Sequence, residues 1–282
     1  MEVPDIDKLS LLHRAVIEKN KAGVKELLKN GCFSSQLDSQ GLTPLMLAFK
    51  QQNQDISIIK ILAKSETEIN LQDNTGRTAL HWGSHTNCIS GVRELLKNND
   101  IDLNIPDKDG RTPLLIATEN NHYELVKALL KADCEVDLPD KDGDTPLHKA
   151  FSNRNKAMAK VLIRKNAKCD FKNNAGETPL FYTVKIFNLS TEMLDILLKQ
   201  NCNVNIQNNM GNSALHDAIS YANYTNVKKL LENGSNVDLP GKDGQTPLIA
   251  SILGEDLEMV DLLLQHNCNI NAADNEGKTA LH

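Results

Sequence analysis

Large aromatic side chains are scarce in this chain: Phe, Trp and Tyr together make up 4% of its 282 residues, and Trp82 is the single tryptophan. A large aromatic-lined pocket is therefore a poor fit. Leu, Ile, Val and Ala must build the core, which suits short helices packed closely together. Excess positive charge is missing too. The formal net charge is −6, with acids and bases interspersed, so no surface is built to neutralise a phosphate backbone and nucleic acid is not an expected partner. There is no run of about 18 apolar residues and no basic flank followed by an apolar stretch at the N-terminus. These absences lead us to expect a soluble, non-secreted protein of the cytoplasm or nucleus, with no direct membrane insertion. The composition carries no signature of disorder.

Paired cysteines are also lacking. Cys32, Cys88, Cys134, Cys169, Cys202 and Cys268 are scattered singly, with no C-x-x-C and no zinc-site or disulfide-framework spacing, which fits a reducing compartment. Cys32, Cys134, Cys202 and Cys268 share one place in the repeat described next, where a small buried side chain is wanted. No phosphate-cradling glycine loop, G-x-S-x-G elbow or Cys/His nucleophile arrangement is visible. His81 and His85 lie four apart, as two metal ligands can, but no Glu follows His81 and no third ligand is evident. The expectation is a protein that is not an enzyme and has no cofactor, metal or small-molecule substrate.

What is present is a repeat. Gly followed by x-[T/S]-[P/A]-L occurs at Gly41, Gly76, Gly110, Gly143, Gly176, Gly211, Gly244 and Gly277, with successive gaps of 35, 34, 33, 33, 35, 33 and 33 residues. An earlier copy, Ser10-Leu11-Leu12-His13-Arg14-Ala15, has Lys8 in place of the glycine. One array is expected over 1–282, its units beginning near 8, 41, 76, 110, 143, 176, 211 and 244, with a ninth begun at 277.

Each unit follows from local chemistry. In Thr145-Pro146-Leu147-His148 the threonine hydroxyl can cap a free N–H, and proline at the first helical position gives up an N–H that would lack a partner. A second apolar-periodic segment, such as Leu125-Val126-Lys127-Ala128-Leu129-Leu130, predicts a second helix. It ends at Gly31, Asp133, Asn166, Asn201, Gly234 or Asn267, residue types that tolerate the left-handed conformation. A short extended stretch and a turn rich in Asn, Asp and Gly lead to the next Thr-Pro. In turns such as Asp107-Lys108-Asp109-Gly110 the paired acids are expected to be solvated. Neither helix can bury its apolar face alone, so the units must stack.

This pattern of helix, turn, helix and projecting finger, with Thr-Pro-Leu-His-x-Ala matched fully at Thr145 to Ala150, resembles the ankyrin repeat over almost the whole chain. The resemblance implies an all-α solenoid of stacked helix-turn-helix units with β-hairpin-like fingers, the fingers and first helices lining a concave face. It also implies that His13, His81, His148, His216 and His282 bond backbone and orient the finger. His122 and His266 fall at further positions where such repeats carry histidine. Trp82 stands where many carry an aromatic, and is expected to pack rather than to anchor a partner.

The expected function is that of a scaffold or adaptor binding a partner protein of unknown identity. By resemblance, the binding residues flank the finger glycines and end the first helices: Asn74, Thr75, Arg77, Lys108, Asp109, Arg111, Lys141, Asp142, Asp144, Ala175 and Glu177, with His85, Glu119, Ser152 and Lys185. Their mixed charges imply no strongly one-signed partner. The alternative is the targeting or regulatory region of a longer multidomain protein, such as a ubiquitin-ligase adaptor, channel or enzyme. In that reading the chain continues past His282, which stands inside the opening motif of a ninth unit. Asn70 and Asn104, in L-x5-E-I-N and L-x5-D-L-N, resemble sites at which ankyrin fingers are hydroxylated by an oxygen-sensing dioxygenase; stabilising the finger turn is the preferred role for both. The 35-residue units gain residues between their helices, at Gln51 to Gln54 and at Lys185 to Asn188. Ile186 and Phe187 there suggest either a contact surface or, preferably, packing back over the neighbouring unit.

Overall fold

The computed structural model describes residues 10–65, 68–185 and 191–282; Ile186 and Phe187 lie outside them. The described residues form sixteen α-helices and no strand. Contacts gather the chain into two compact units, residues 1–141 and 142–282, each taken here by itself.

The first unit holds α1 (Leu11–Ile17), α2 (Lys21–Lys29), α3 (Pro44–Lys50), α4 (Ile56–Ser65), α5 (Ala79–His85), α6 (Ile89–Leu95), α7 (Pro113–Glu119) and α8 (Tyr123–Lys131). First helices stack in the series α1, α3, α5, α7 and second helices in the series α2, α4, α6, α8. The second unit holds α9 (Pro146–Ser152), α10 (Lys156–Ile163), α11 (Phe181–Val184), α12 (Glu192–Leu198), α13 (Ala214–Ser220), α14 (Tyr224–Glu232), α15 (Pro247–Leu253) and α16 (Leu257–Gln265). There α9, α11, α13 and α15 stack in turn, and α10 packs on α12.

Hydroxyls and proline start the first helices as the motif requires. Thr43 and Thr112 each accept from the N–H three residues on at 3.2 Å, just ahead of Pro44 and Pro113, a cap that stabilises by about 1 kcal/mol. Second helices are capped by Asn20, Asn155, Asn223 and Asp256. They end in left-handed residues: Asp133, Asn166, Asn201 and Asn267 have φ of 59°, 62°, 53° and 57°.

Leu45, Phe49, Ile58 and Leu62 in the first unit, and Leu147, Phe151, Leu162 and Phe181 in the second, are fully buried. Removing such side chains from water drives the stacking, at about 1.5–3 kcal/mol each. Cys134, Cys202 and Cys268 are buried as expected, whereas Cys32 is only half-buried.

The fingers are turns rather than ladders: the bridges outside the helices are the isolated pairs Gln207–Ser213 and Ala273–Thr279. A carboxylate or amide three residues before the finger glycine organises the turn in six fingers, through Asp38, Asp73, Asp107, Asn173, Asn208 and Asp274, whereas Gly241 takes that place before Gly244. Asp73 Oδ1 accepts the N–H of Thr75 at 2.8 Å and of Arg77 at 3.0 Å, and Asp107 and Asn173 do the same in their fingers. Asp107 is thus buried, not solvated as its turn sequence suggests. Neighbouring tips then join through backbone, Asn74 N–H to Gln40 O at 3.0 Å and Lys108 N–H to Thr75 O at 3.0 Å. Gly76 has φ of 81°, and a Cβ there would lie 2.8 Å from Lys108 N, so the tips meet only because this position has no side chain.

Candidate protein-binding surface

In the first unit the finger tips expose Asn74, Thr75, Lys108 and Lys141, and the first-helix ends expose His85 and Glu119. Behind them runs a chain of ion pairs. Asp107 Oδ2 lies 3.4 Å from Arg77 Nε and 3.0 Å from Arg111 Nη2; Arg111 also reaches Asp109 Oδ2 at 2.7 Å, and Lys141 Nζ reaches Asp109 Oδ1 at 2.9 Å. Burial opposes the charged form of Asp107, but bonds to Arg111 and its charge outweigh that and hold the carboxyl below its ordinary value. The Lys141 bond and the Arg111 charge hold Asp109 low as well. Arg77 and Arg111 are therefore half-buried members of the finger framework, more than presented charges.

Trp82 sits in the middle of this surface, half-buried. Its Nε1–H donates to Asp73 Oδ2 at 2.9 Å, and Lys50 Nζ and Arg77 Cζ lie 4.9 and 5.1 Å from its ring centroid. His85 meets the ring edge-on with centroids 6.1 Å apart. These contacts fix the indole, with two cations over its ring. Trp82 and Lys50 were not among the expected binding residues; the signal was the column one place after the motif histidine, which reads Leu47, Trp82, Ile116, Lys149, Tyr182 and Asp217.

In the second unit Asp142, Ser152 and Ala175 are exposed, while Asp144 is buried. Its carboxylate accepts from Lys149 Nζ at 2.9 Å, Asn173 Nδ2 at 2.9 Å and Tyr182 Oη at 3.0 Å. Burial opposes ionisation of Asp144, yet the Asn173 and Lys149 bonds keep its carboxyl below the usual range. Burial and the Asp144 charge push the Tyr182 phenol up. Glu177 and Lys185 pair at 2.5 Å, both half-buried. Asp144, Glu177 and Lys185 are thus occupied within the fold, and Asp142, Ser152 and Ala175 are its presented residues.

The chain matches the family described as ankyrin repeats (3 copies) over residues 12–107, 99–173, 158–240 and 223–282. It is an ankyrin-repeat protein. No curated protein matches the chain. Ankyrin repeats are protein–protein interaction modules, and no described helix is long and apolar enough to cross a membrane.

The ankyrin histidines largely do what the motif implies. Thr78 N–H donates to His81 Nδ1 at 3.0 Å, so Nε2 carries the proton and donates to Arg111 O at 3.0 Å. Both ring nitrogens of His81 are spent, which removes it from any metal pair with His85. His13 and His148 reach Leu42 O and Glu177 O at 2.9 and 3.2 Å. His216 is the exception: its Nε2 is buried without a hydrogen-bond partner.

The asparagines join fingers. Asn70 donates to Asp100 O at 2.7 Å and accepts from Asp102 N–H at 2.9 Å, and Asn104 accepts from Glu135 N–H at 2.9 Å. One arrangement escaped the linear spacing of cysteines altogether: Cys169 and Cys202, from adjoining repeats, come together with Asp170.

Proposed function

We propose that this ankyrin-repeat protein is a scaffold that binds a partner protein on the surface made by finger tips and first-helix ends, with Trp82 as the anchor and Lys50, His85, Lys108 and Lys141 around it. The observation that carries the reading is the indole held by Asp73, with Lys50 and Arg77 over its ring. An aromatic held by neighbours before binding loses little entropy on binding, and Trp and Arg dominate the energetics of protein interfaces. The tips are held by backbone bonds, so the rest of the surface is also preformed. Asn70 and Asn104 fit a role in finger packing best.

The test is capture from native lysate with the intact chain, compared with a Trp82→Leu, Lys108→Glu variant and a Lys131→Glu control on a second helix. Leucine stands at the equivalent Leu47, so the fold is kept, which circular dichroism verifies. A partner retained by the control and lost by the double variant supports the surface. Equal capture by all three proteins sinks it.

A further inference from the structure

Stacking of adjoining repeats brings Cys169, one residue before Asp170 of its finger, up to Cys202, which opens the next finger. Along the repeats the position of Cys169 reads Ser34, Ile69, Leu103, Val136, Cys169, Val204, Val237 and Ile270, so Cys169 interrupts an aliphatic run that begins at Ile69. The position of Cys202 reads Cys32, Thr67, Ile101, Cys134, Ala167, Cys202, Ser235 and Cys268. Only between the fifth and sixth fingers do the two columns set thiol against thiol. Cys169 Sγ, Cys202 Sγ and a carboxylate oxygen of Asp170 all lie within 4.8 Å of one another.

We propose that Cys169, Asp170 and Cys202 form a binding site for a thiophilic divalent cation, with zinc the best match. A tetrahedral zinc with Zn–S of about 2.3 Å and Zn–O of about 2.0 Å sets its ligand atoms roughly 3.5–3.8 Å apart, a contraction of about 1.3 Å at most from the separations of up to 4.8 Å here. Two thiolates select for zinc over magnesium and calcium, which take oxygen ligands.

The donors are also disposed for entry and exchange. Cys202 is buried, Cys169 half-buried and Asp170 exposed, so the cation enters from the carboxylate side and keeps a fourth position open to water. Asp170 Oδ1 accepts the Asn203 N–H at 3.0 Å, which orients the carboxylate and leaves its second oxygen for the metal. Cys202 Sγ–H donates to Leu197 O at 3.2 Å. Binding replaces that proton and the one on Cys169, so two protons leave per cation.

The test uses the full chain, stripped of metal and kept reduced with a phosphine, titrated with cobalt(II) and then zinc. The expected result is one thiolate-to-cobalt charge-transfer band that saturates at one cobalt per chain, is bleached by zinc, and is lost in Cys169→Val and in Cys202→Ala. Both replacements copy neighbouring repeats, Val136 or Val204 and Ala167, so the fold is retained; Asp170→Asn, which keeps the Asn203 bond, is expected to weaken binding without abolishing it. A parent chain that shows no band overturns the proposal, as does a band that persists in both cysteine variants. So does a parent that omits metal and, once the phosphine is removed, loses two mass units as Cys169 and Cys202 join in a disulfide.

Discussion

His81 Nε2 lies 3.0 Å from the carbonyl oxygen of Arg111, so the first helix of one repeat holds the finger of the next. This column alternates: His13, Met46, His81, Leu115, His148, Phe181, His216, Ile249 and His282. His13, His81 and His148 thus each hold a carbonyl of the next finger, His216 does not, and the column is apolar in the repeats between them.

The first prediction follows from burial of that histidine. Burial, chiefly, lowers the His81 pKa from 6.5 to about 4, so the folded state holds it neutral. Above about pH 6.5 its contribution to stability is complete. As pH falls toward 4 the unfolded chain takes up a proton that the folded chain refuses, and about 3 kcal/mol is lost. His13 and His216 shift in the same direction. Urea unfolding across this window should show stability falling with acid, and His81→Leu, which copies Leu115, should flatten the slope. An unchanged slope in that variant refutes the assignment.

The repeat, its helix starts and its left-handed helix ends were legible in the sequence because each depends on residues close along the chain: Thr43 with Pro44, or Asn201 at the end of its helix. What was not legible depends on partners a whole repeat away. Asp107 reads as a solvated turn acid until Arg77 and Arg111 close over it. Cys169 and Cys202 are 33 positions apart, and only stacking makes them neighbours. Position in the repeat does not separate exposed Lys108 from buried Asp144, because burial there is set by Lys149, Asn173 and Tyr182 closing over the carboxylate. The first helix of the sixth repeat is also shorter than its motif predicts, four residues from Phe181 to Val184.

Asp107 should be the most sensitive finger residue. Its Oδ1 organises the turn while its Oδ2 pairs with two arginines. Asp107→Ala removes both functions from a buried site and should cost about 2–4 kcal/mol. Asp107→Asn keeps the turn acceptor, as Asn173 and Asn208 do in their fingers, and should cost clearly less. Chemical denaturation of the two variants checks the order; equal losses would mean that the ion pair, not the turn, carries the stability.

Gly91 predicts a reversal of the usual helix rule. Alanine normally gains about 1 kcal/mol over glycine inside a helix. A Cβ at Gly91, however, would stand 2.5 Å from Phe49 Cε1 and 2.9 Å from Cys88 Sγ. Gly91→Ala should therefore destabilise by about 1–3 kcal/mol through overpacking, and adding Phe49→Leu should recover part of the loss, read as a coupling energy in a double-mutant cycle. A gain in melting temperature for Gly91→Ala alone would show that α6 has room to move away from Phe49.

Asp217 should give a pH dependence of opposite sign to His81. It occupies the same inner column as Trp82, but there burial raises its pKa from 3.8 to about 6, with the Lys185 charge only partly offsetting it. A carboxyl whose pKa is raised on folding stabilises fully below its unfolded value and loses that contribution as pH rises through the folded value. Between about pH 4 and pH 6 the folded state keeps a proton that the unfolded chain releases, and at neutral pH the native state carries a half-buried charge at a cost. Asp217→Asn removes the charge at nearly constant shape. It should raise the melting temperature at pH 7 and leave it almost unchanged near pH 4. A variant less stable than the parent at pH 7 would show that the attraction of the nearby Lys185 charge outweighs the burial of Asp217.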